Sequence, residues 1–423
     1  MKIFMGLMEI AGYYTNLQKG FAAHGVESVF VDISGHPFHY QQSCTTNPLI
    51  RAVEYLGKKK QASKPYFLLK LWWRGLQSLA MIPLFVWAVK QFDVFIFGYA
   101  SSFFFFLDIP ILKLLNKRVI YVFHGSDSRP PYIDGSYMPQ AFNWSTETYI
   151  RITRKKKRML EVIERYADII ISHPPSSQLH EKPFVPYLLV GIPFPMRKPS
   201  TPRFSSSGTI RILHSPSNPE AKGTPIIRCA IKSLRDKGYP IEFVEISGMP
   251  NAVVLAELER CDFVIDQLYS DTPMAHFATE AAFFGKPAVI GSYAQEDLFG
   301  AAEYIPPSYR CHPDQLVEAI EKLIVDEEYR YTLGQQAKAY VEANWTAEKV
   351  AQRYLQMIEA DIPHHWLYNP RDIRYIYGCC ISKEVVQQIV RSMIKVGGKE
   401  TLQLRDKPEL EQLFIDFACM EHA

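Results

Sequence analysis

Two doubly wound α/β domains facing each other across a cleft are the architecture this sequence predicts, and three observations carry the prediction. Short β-rich runs alternate with helical stretches over residues 1–195, and the same alternation restarts at residue 209. Between them lies PFPMRKPSTPRFSSSG, Pro193 to Gly208, with four Pro, four Ser and no hydrophobic periodicity, the composition of a linker. Finally, 423 residues at 48% hydrophobic make too long a chain for one core and too apolar a chain for disorder.

In the first domain, strands are expected at Ile3–Leu7, Val26–Val31, Val94–Phe97, Arg118–Phe123 and Asp168–Ser172, each a continuous apolar run bounded by Gly, Pro, Ser or His. Buried parallel strands read this way because both faces are covered. A helix near Thr15–His24 joins the first two. In the second domain the strands are Thr209–Leu213, Ile241–Ile246, Phe263–Leu268 and Ala288–Ile290, with helices at Thr224–Lys237, near Ala252–Glu259 and at His276–Phe284. Three helical patterns close it, Asp314–Val325, Glu328–Ala343 and Ala347–Ala360. The domains are therefore placed at 1–195, 196–208 (linker), 209–360 and 361–423. The last is a helical extension, with patterns near Lys383–Lys395 and Glu409–Ala418, expected to pack back on the first domain.

Composition excludes several classes. Seven Cys without a CxxC pair indicate neither a disulfide framework nor a zinc ribbon, and point to a reducing compartment. The pairs His36/His39 and His364/His365 read as surface or loop residues, so no metal is expected. The start, MKIFMGLMEIAG, lacks the apolar core of a secretory signal. Between Arg74 and Lys90 only fifteen uncharged residues remain, with Pro83 among them, against about 20 needed to span a bilayer.

The net charge of +3 conceals an asymmetry: up to Pro195 there are 22 Lys+Arg against 13 Asp+Glu, and beyond it 25 against 31. The basic excess gathers in Lys58–Lys60, Lys64, Lys70, Arg74 and the run RITRKKKR, Arg151–Arg158, beside Trp72 and Trp73. Basic and aromatic residues together suit an anionic membrane surface, and the expected location is cytoplasmic, peripheral on the inner face of the membrane. No nucleic-acid partner is expected.

In open α/β sheets ligands bind beyond the carboxyl ends of the strands, so the loops after strands are where function is sought. HSPSNPEAKG, His214–Gly223, offers hydroxyl and amide groups at Ser215 and its neighbours, the ammonium of Lys222, and Gly223 at a helix start. That set suits a diphosphate. YSDTPMAHFATEAAFFGKPAVI, Tyr269–Ile290, repeats strand, loop, helix and strand; the helix is expected to start near Met274, so that amides at Met274, Ala275 and His276 meet phosphate oxygens, with Glu280 two turns in facing ribose hydroxyls. In the first domain HGSDSR places His124, Asp127 and Arg129 at a strand end, and Gly12 in the first loop permits close approach to a sugar or phosphate or serves as a turn glycine. No GxGxxG occurs, which weighs against a dinucleotide oxidoreductase, and no DxD, which weighs against a metal-bridged diphosphate.

The combination of HSPSNPEAKG, FVIDQL…FATEAAFFGKPAVI and VIYVFHGSDSR resembles the GT-B fold glycosyltransferases of the family 4 type, found in bacterial polysaccharide and cell-envelope assembly; the pattern covers about residues 1–360. The resemblance implies two Rossmann-like domains and a retaining, metal-independent hexosyl transfer from a nucleotide diphosphate sugar, UDP- or GDP-linked, to a hydroxyl of a glycan or lipid-linked glycan. It implies no further cofactor. It assigns Lys222 to the diphosphate, Glu280 to the ribose and His124 to the donor sugar, with Asp127 and Arg129 orienting His124 or binding acceptor. The chain departs from the family pattern at three points. The first Glu of Glu-x7-Glu is Thr272, with Asp271 beside it; no Arg precedes Lys222 within the loop; and the Gly-rich loop reads DTPMAH. Asp271, His276 and the amides around Met274 and Ala275 are the substitutes. Two alternatives keep the same residues: a sugar-nucleotide epimerase or phosphorylase, and a nucleotide-sugar-binding partner without catalysis.

Overall fold

The computed structural model describes residues 1–33, 47–63, 65–137, 140–195, 208–360 and 362–420. Residues 196–207 of the expected linker, Lys64 and the His36/His39 pair lie outside the described residues.

The first sheet holds six parallel strands in the order β2-β1-β3-β4-β5-β6: β1 (Lys2–Leu7), β2 (Glu27–Asp32), β3 (Val94–Gly98), β4 (Arg118–Val122), β5 (Ile169–Ser172) and β6 (Val185–Pro186). Its crossovers are α1 (Tyr13–Ala23), α2 (Pro48–Ala62) with α3 (Phe67–Gln91), α4 (Asp108–Leu114) and α5 (Thr146–Tyr166), and a short α6 (Tyr187–Val190) follows β6. The second sheet is also fully parallel, in the order β11-β10-β9-β7-β8: β7 (Ile210–His214), β8 (Ile241–Glu245), β9 (Phe263–Ile265), β10 (Ala288–Gly291) and β11 (Tyr309–Cys311). Around it lie α7 (Pro219–Lys222), α8 (Thr224–Asp236), α9 (Asn251–Arg260), α10 (His276–Phe283), α11 (Leu316–Val325) and α12 (Glu327–Asn344). Both orders reverse beside the first strand, between β1 and β3 and between β7 and β9, and a crevice opens at such switch points.

Local chemistry explains these elements. In α8, Pro225 stands in the first turn, and Ile227, Ala230, Ile231 and Leu234 recur at helical spacing and are buried against the second sheet. In α1 the buried stripe is Tyr13, Tyr14, Leu17, Gly20 and Phe21. The carboxylate of Glu9 accepts the amide protons of Tyr14 and Thr15 at 3.1 and 3.0 Å, capping the helix from the preceding loop.

The two chain crossings run side by side. Phe194 donates its amide to the Trp345 carbonyl at 3.0 Å and accepts from the Ala347 amide at 2.7 Å, while the fully buried Trp345 indole reaches the Leu188 carbonyl at 3.3 Å. After this crossing α13 (Ala347–Glu359), assigned from sequence to the second domain, packs on α1 of the first: the Tyr13 and Tyr354 hydroxyls are 2.9 Å apart, and Arg118 donates to the Met357 carbonyl at 3.0 Å. The change of domain thus falls at Trp345 rather than after residue 360. The tail continues on the first domain through α14 (Lys383–Gly397) and α15 (Pro408–Cys419), whose Val386, Val390, Met393, Leu410 and Phe414 share a core with β3 and β4. Two Rossmann-like α/β units across a cleft, with a helical tail laid back over the first, are the GT-B arrangement.

The basic run 151–158 lies on α5, and it is not one solvated face. Arg151, Arg154, Lys155 and Arg158 are exposed, but Lys156 and Lys157 are buried, with their ammonium groups donating to the carbonyls of Ser126 and Arg129 (both 2.6 Å) and of Leu179 (3.0 Å). Burial lowers the Lys156 pKa to about 8. By contrast, Tyr66 and the start of α3, Phe67 to Trp72, are exposed. No helix among the described residues is long and apolar enough to cross a membrane.

Candidate functional site

The cleft between the domains has a volume of about 330 Å³. Its first wall comes from the loops after β1, β4 and β5, its second from those after β7 and β9, and part of its lining from the tail. Each is a strand-end loop except the last.

His124 follows β4 and lines the cleft inside a shell of tyrosines. Its Nε2 is 3.1 Å from the Tyr14 hydroxyl and its Nδ1 3.3 Å from that of Tyr187, and the Tyr13 ring meets it edge-on at 5.0 Å between centroids. The Tyr14 hydroxyl gets there by crossing β3 at Gly98, where a Cβ would collide with it. Burial, with His173 nearby, lowers the His124 pKa to about 3, so the imidazole is neutral. Asp127 does not line the cleft; it is buried, its Oδ1 accepts the His124 amide proton at 2.8 Å, and burial raises its pKa to about 6. It holds the loop that carries His124.

Arg129 lines the cleft and crosses it. Its guanidinium pairs with Asp134 at 3.1 Å within the first domain and with Asp271 of the second, the Nε–Oδ2 distance being 3.1 Å. Burial opposes the charge, but Asp271 and Asp134 outweigh it and hold the guanidinium ionised; burial likewise opposes the Asp271 carboxylate, and Arg129 wins, lowering its pKa. Asp271 and Arg129, expected as separate contacts, are one buried bridge.

On the second wall, Lys222 extends from the end of α7 into the cleft and donates to Asp266 at 3.3 Å and to Gln267. Burial would lower its pKa, yet Asp266 prevails and the net shift is upward, so it is charged. Ser215 is not on the cleft wall, whereas Ser217 and Asn218 are. Gly223, at φ 73°, is a packing position: a Cβ there would lie 2.6 Å from Leu268 Cβ. Gly12, also left-handed at φ 83°, caps α1 beside the cleft-lining Ala11 and Tyr13. Thr272, Met274, Ala275 and His276 all line the cleft, and α10 begins at His276, two residues after the expected start, with its first-turn amides at the wall. Glu280 is one layer back, accepting from the Asn251 amide at 2.8 Å, with His276 Nε2 3.8 Å away.

Sequence reasoning missed four contributors. His173, after β5, stacks on Tyr187 with centroids 4.2 Å apart; it ends a strand in the same way as His124 and could have been found by that rule. Gln267 was read as part of a strand. Cys379 and Cys380 come from the tail, and nothing in their local sequence places them at the cleft. Among the described residues no group of three or more His, Cys, Asp or Glu is placed to hold a metal ion.

The buried titratable groups predict a pH dependence. His124 and His173, lowered to about 3 and about 4 by burial, take up protons near pH 6.5 only when the chain unfolds. Asp127, raised to about 6, acts oppositely, since the folded chain binds its proton first. His214 and His276, lowered by burial, add to the histidine effect, and Glu9, raised by burial, opposes it. For the three groups with assigned values the net is about one proton, so stability falls by ~1.4 kcal/mol per pH unit on acidification from about pH 6 to 4.5. Urea unfolding across that range should show stability falling on acidification, with a slope smaller by about one proton, ~1.4 kcal/mol per pH unit, in His173→Gln; a flat profile in the parent chain would contradict it.

No protein-family model matches the chain, and no curated protein matches it. Among solved structures it is similar to Anabaena HepE in complex with UDP and glucose, 11% identical over 85% of this chain and 99% of that one, with a TM-score of 0.48. It is similar to sucrose-phosphate synthase from Thermosynechococcus elongatus, 14% identical over 85% and 98%, TM-score 0.48, and to S. aureus MnaA with UDP, 12% identical over 85% and 95%, TM-score 0.42.

Proposed function

We propose that this chain is a glycosyltransferase that moves a hexosyl group from a UDP- or GDP-sugar to an acceptor hydroxyl, with retention and without a metal ion. The observation that carries the proposal is the convergence, on one interdomain cleft, of the Lys222 ammonium, the N-terminus of α10 and, across from them, the neutral imidazole of His124. The diphosphate lies against Lys222 and the amides of Ala275 and His276, which neutralise the charge that develops as it leaves. His124, holding no charge, exchanges one of its tyrosine partners, Tyr14 or Tyr187, for a sugar hydroxyl and forms no salt bridge to the phosphate. Asp127 acts as a positioning residue through the His124 amide, and Glu280 acts on the ribose through His276 and Asn251. Arg129 and Asp271 hold the two walls in register.

The test is thermal shift against UDP-, GDP-, ADP- and CMP-sugars, since a ligand at 100 times its Kd adds about 2.7 kcal/mol to the folded state. Product analysis with a glycan acceptor follows. A shift for one nucleotide with transfer supports the proposal. A shift with only an isomer or a sugar phosphate as product favours the epimerase or phosphorylase alternative; a shift with no turnover favours a binding protein; no shift overturns all three.

The acceptor is proposed to be a glycan or lipid-linked glycan reached from an anionic membrane surface. The support is α3: Tyr66, Phe67, Leu68, Leu71 and Trp72 are exposed, Phe67 and Leu68 by 75% and 78%, with Lys70 and Arg74 among them and exposed Lys58 and Lys59 on α2. Buried apolar side chains at about 1.5–3 kcal/mol each and basic groups at about 1 kcal/mol each give reversible attachment. Phe67→Ser/Leu68→Ser/Trp72→Ser should reduce sedimentation with phosphatidylglycerol liposomes at least tenfold, whereas neutralising the buried Lys156 and Lys157 tests only folding. Equal sedimentation of the triple variant would remove α3 from the proposal.

A further inference from the structure

Adjacent cysteines in the tail have no part in the chemistry proposed above, yet both line the cleft. Their backbone is where tail, first domain and second domain meet. The Cys379 amide donates to the Ile133 carbonyl at 3.0 Å, its carbonyl accepts from the Gly135 amide at 2.7 Å, and the Cys380 amide donates to the Tyr269 carbonyl at 2.9 Å. Tyr269 opens the loop that runs through Asp271 to the start of α10. Cys380 has φ 63°, a left-handed conformation unusual for a residue with a side chain, and the two Sγ atoms are 3.5 Å apart.

We propose that Cys379 and Cys380 form a redox-modification site in the cleft, a dithiol that a peroxide converts to a disulfide and so unlatches the tail from the Tyr269–Ala275 loop. The Cys380 sulfur is the attacking group. The neighbouring Cys379 thiol, Lys222 and Arg129 favour its thiolate over the opposition of burial, while the hydrogen bond to Cys380, together with burial, keeps the Cys379 thiol protonated. The thiolate attacks one peroxide oxygen, giving a sulfenic acid and, after proton uptake, water; Cys379 sulfur then displaces the second water and closes the S–S bond. Two thiol protons and two electrons leave the pair, and one peroxide becomes two waters. Neighbouring Cα atoms are about 3.8 Å apart, below the usual disulfide range, so the closed ring turns the peptide that joins them. That peptide carries the carbonyl bonded to Gly135 and the amide bonded to Tyr269. A disulfide held in such a small ring is readily reduced, which makes the change reversible by thiols.

The consequence for a bound nucleotide sugar rests on the function proposed above, whereas the modification itself does not. The full chain is treated with a stoichiometric excess of hydrogen peroxide and compared with untreated chain and with chain re-reduced by dithiothreitol. The expected result is a 379–380 peptide lighter by two hydrogens, faster hydrogen exchange at the amides of Gly135 and Cys380, and full reversal by dithiothreitol. Cys379→Ser should show no mass loss, and Cys261→Ser, altered at a buried cysteine elsewhere, should behave as the parent. A 379–380 pair that stays reduced, or a disulfide that leaves the exchange of both amides unchanged, overturns the proposal. If UDP- and GDP-sugars shift the melting of the reduced chain, oxidation should lower that shift at least threefold. If they do not shift it, the glycosyltransferase reading fails, and the mass and exchange results still decide the switch.

Discussion

Replacing Arg129 by Met lowers stability at neutral pH by about 3–5 kcal/mol, the cost of leaving buried charge uncompensated. The guanidinium is the partner of two buried carboxylates, Asp134 at 1% exposure and Asp271 at 7%. The sign of the pH response separates this cause from simple loss of packing. In the parent chain Asp271 is held below the usual carboxylate range chiefly by Arg129 against the effect of burial; without it, burial outweighs the smaller contributions of His173 and the Cys379 thiol and moves its pKa upward. The variant's folded state then binds a proton that its unfolded state does not, so its deficit shrinks as pH falls from about 7 to 5. Arg129→Lys should recover little, because one compact ammonium cannot span two carboxylates in different domains. Arg129→Met/Asp134→Asn/Asp271→Asn should recover most of the loss. Urea unfolding of the three variants measures this, and a single variant within 1 kcal/mol of the parent would show that the bridge has no net role.

The parts of this molecule that were legible are those whose physics is local. Val94–Phe97, Ile169–Ile171 and Val119–Val122 are apolar on both faces because helices cover both, so period and composition announce parallel strands. His124, Arg129, Lys222 and the 271–276 loop were legible because strand-end loops are where such sheets bind ligands. What was not legible depends on partners distant in sequence. Lys156 and Lys157 look like their exposed neighbours Lys155 and Arg158; only the carbonyls of Ser126, Arg129 and Leu179, which α5 meets after folding, make them internal. The ion pair of Arg129 with Asp271 spans 142 residues, and no periodicity encodes it. Glycines were legible as glycines but not by role, since Gly223 is required by Leu268, a side chain in the loop after β9. The same limit put the domain change after residue 360: helical spacing finds α13, whereas its choice of α1 as a neighbour rests on Tyr13 and Tyr354 meeting across the fold.

Lys222→Met is expected to abolish the thermal shift produced by the nucleotide sugar and to lower kcat/KM by about 10²–10³-fold, the effect of removing one preorganised charge from a developing anion. Two consequences of the substitution must be kept apart. Lys222 also offsets Asp266, which is 1% exposed and has Oδ2 buried with no hydrogen-bond partner among the described residues, so the variant loses stability, by up to about 3 kcal/mol, before any ligand is added. Lys222→Met/Asp266→Asn removes the buried charge together with its partner and should regain much of that stability while gaining nothing in donor binding. Lys222→Arg keeps the charge but carries a planar fork where Asp266 and Gln267 grip a compact ammonium, and should retain a weaker shift. If the double variant recovered both stability and donor shift, Lys222 would be an internal counter-ion for Asp266 and the diphosphate would have to be placed elsewhere. If it recovers stability alone, the ammonium serves the ligand, and Asp266 and Gln267 hold it in place until the ligand arrives.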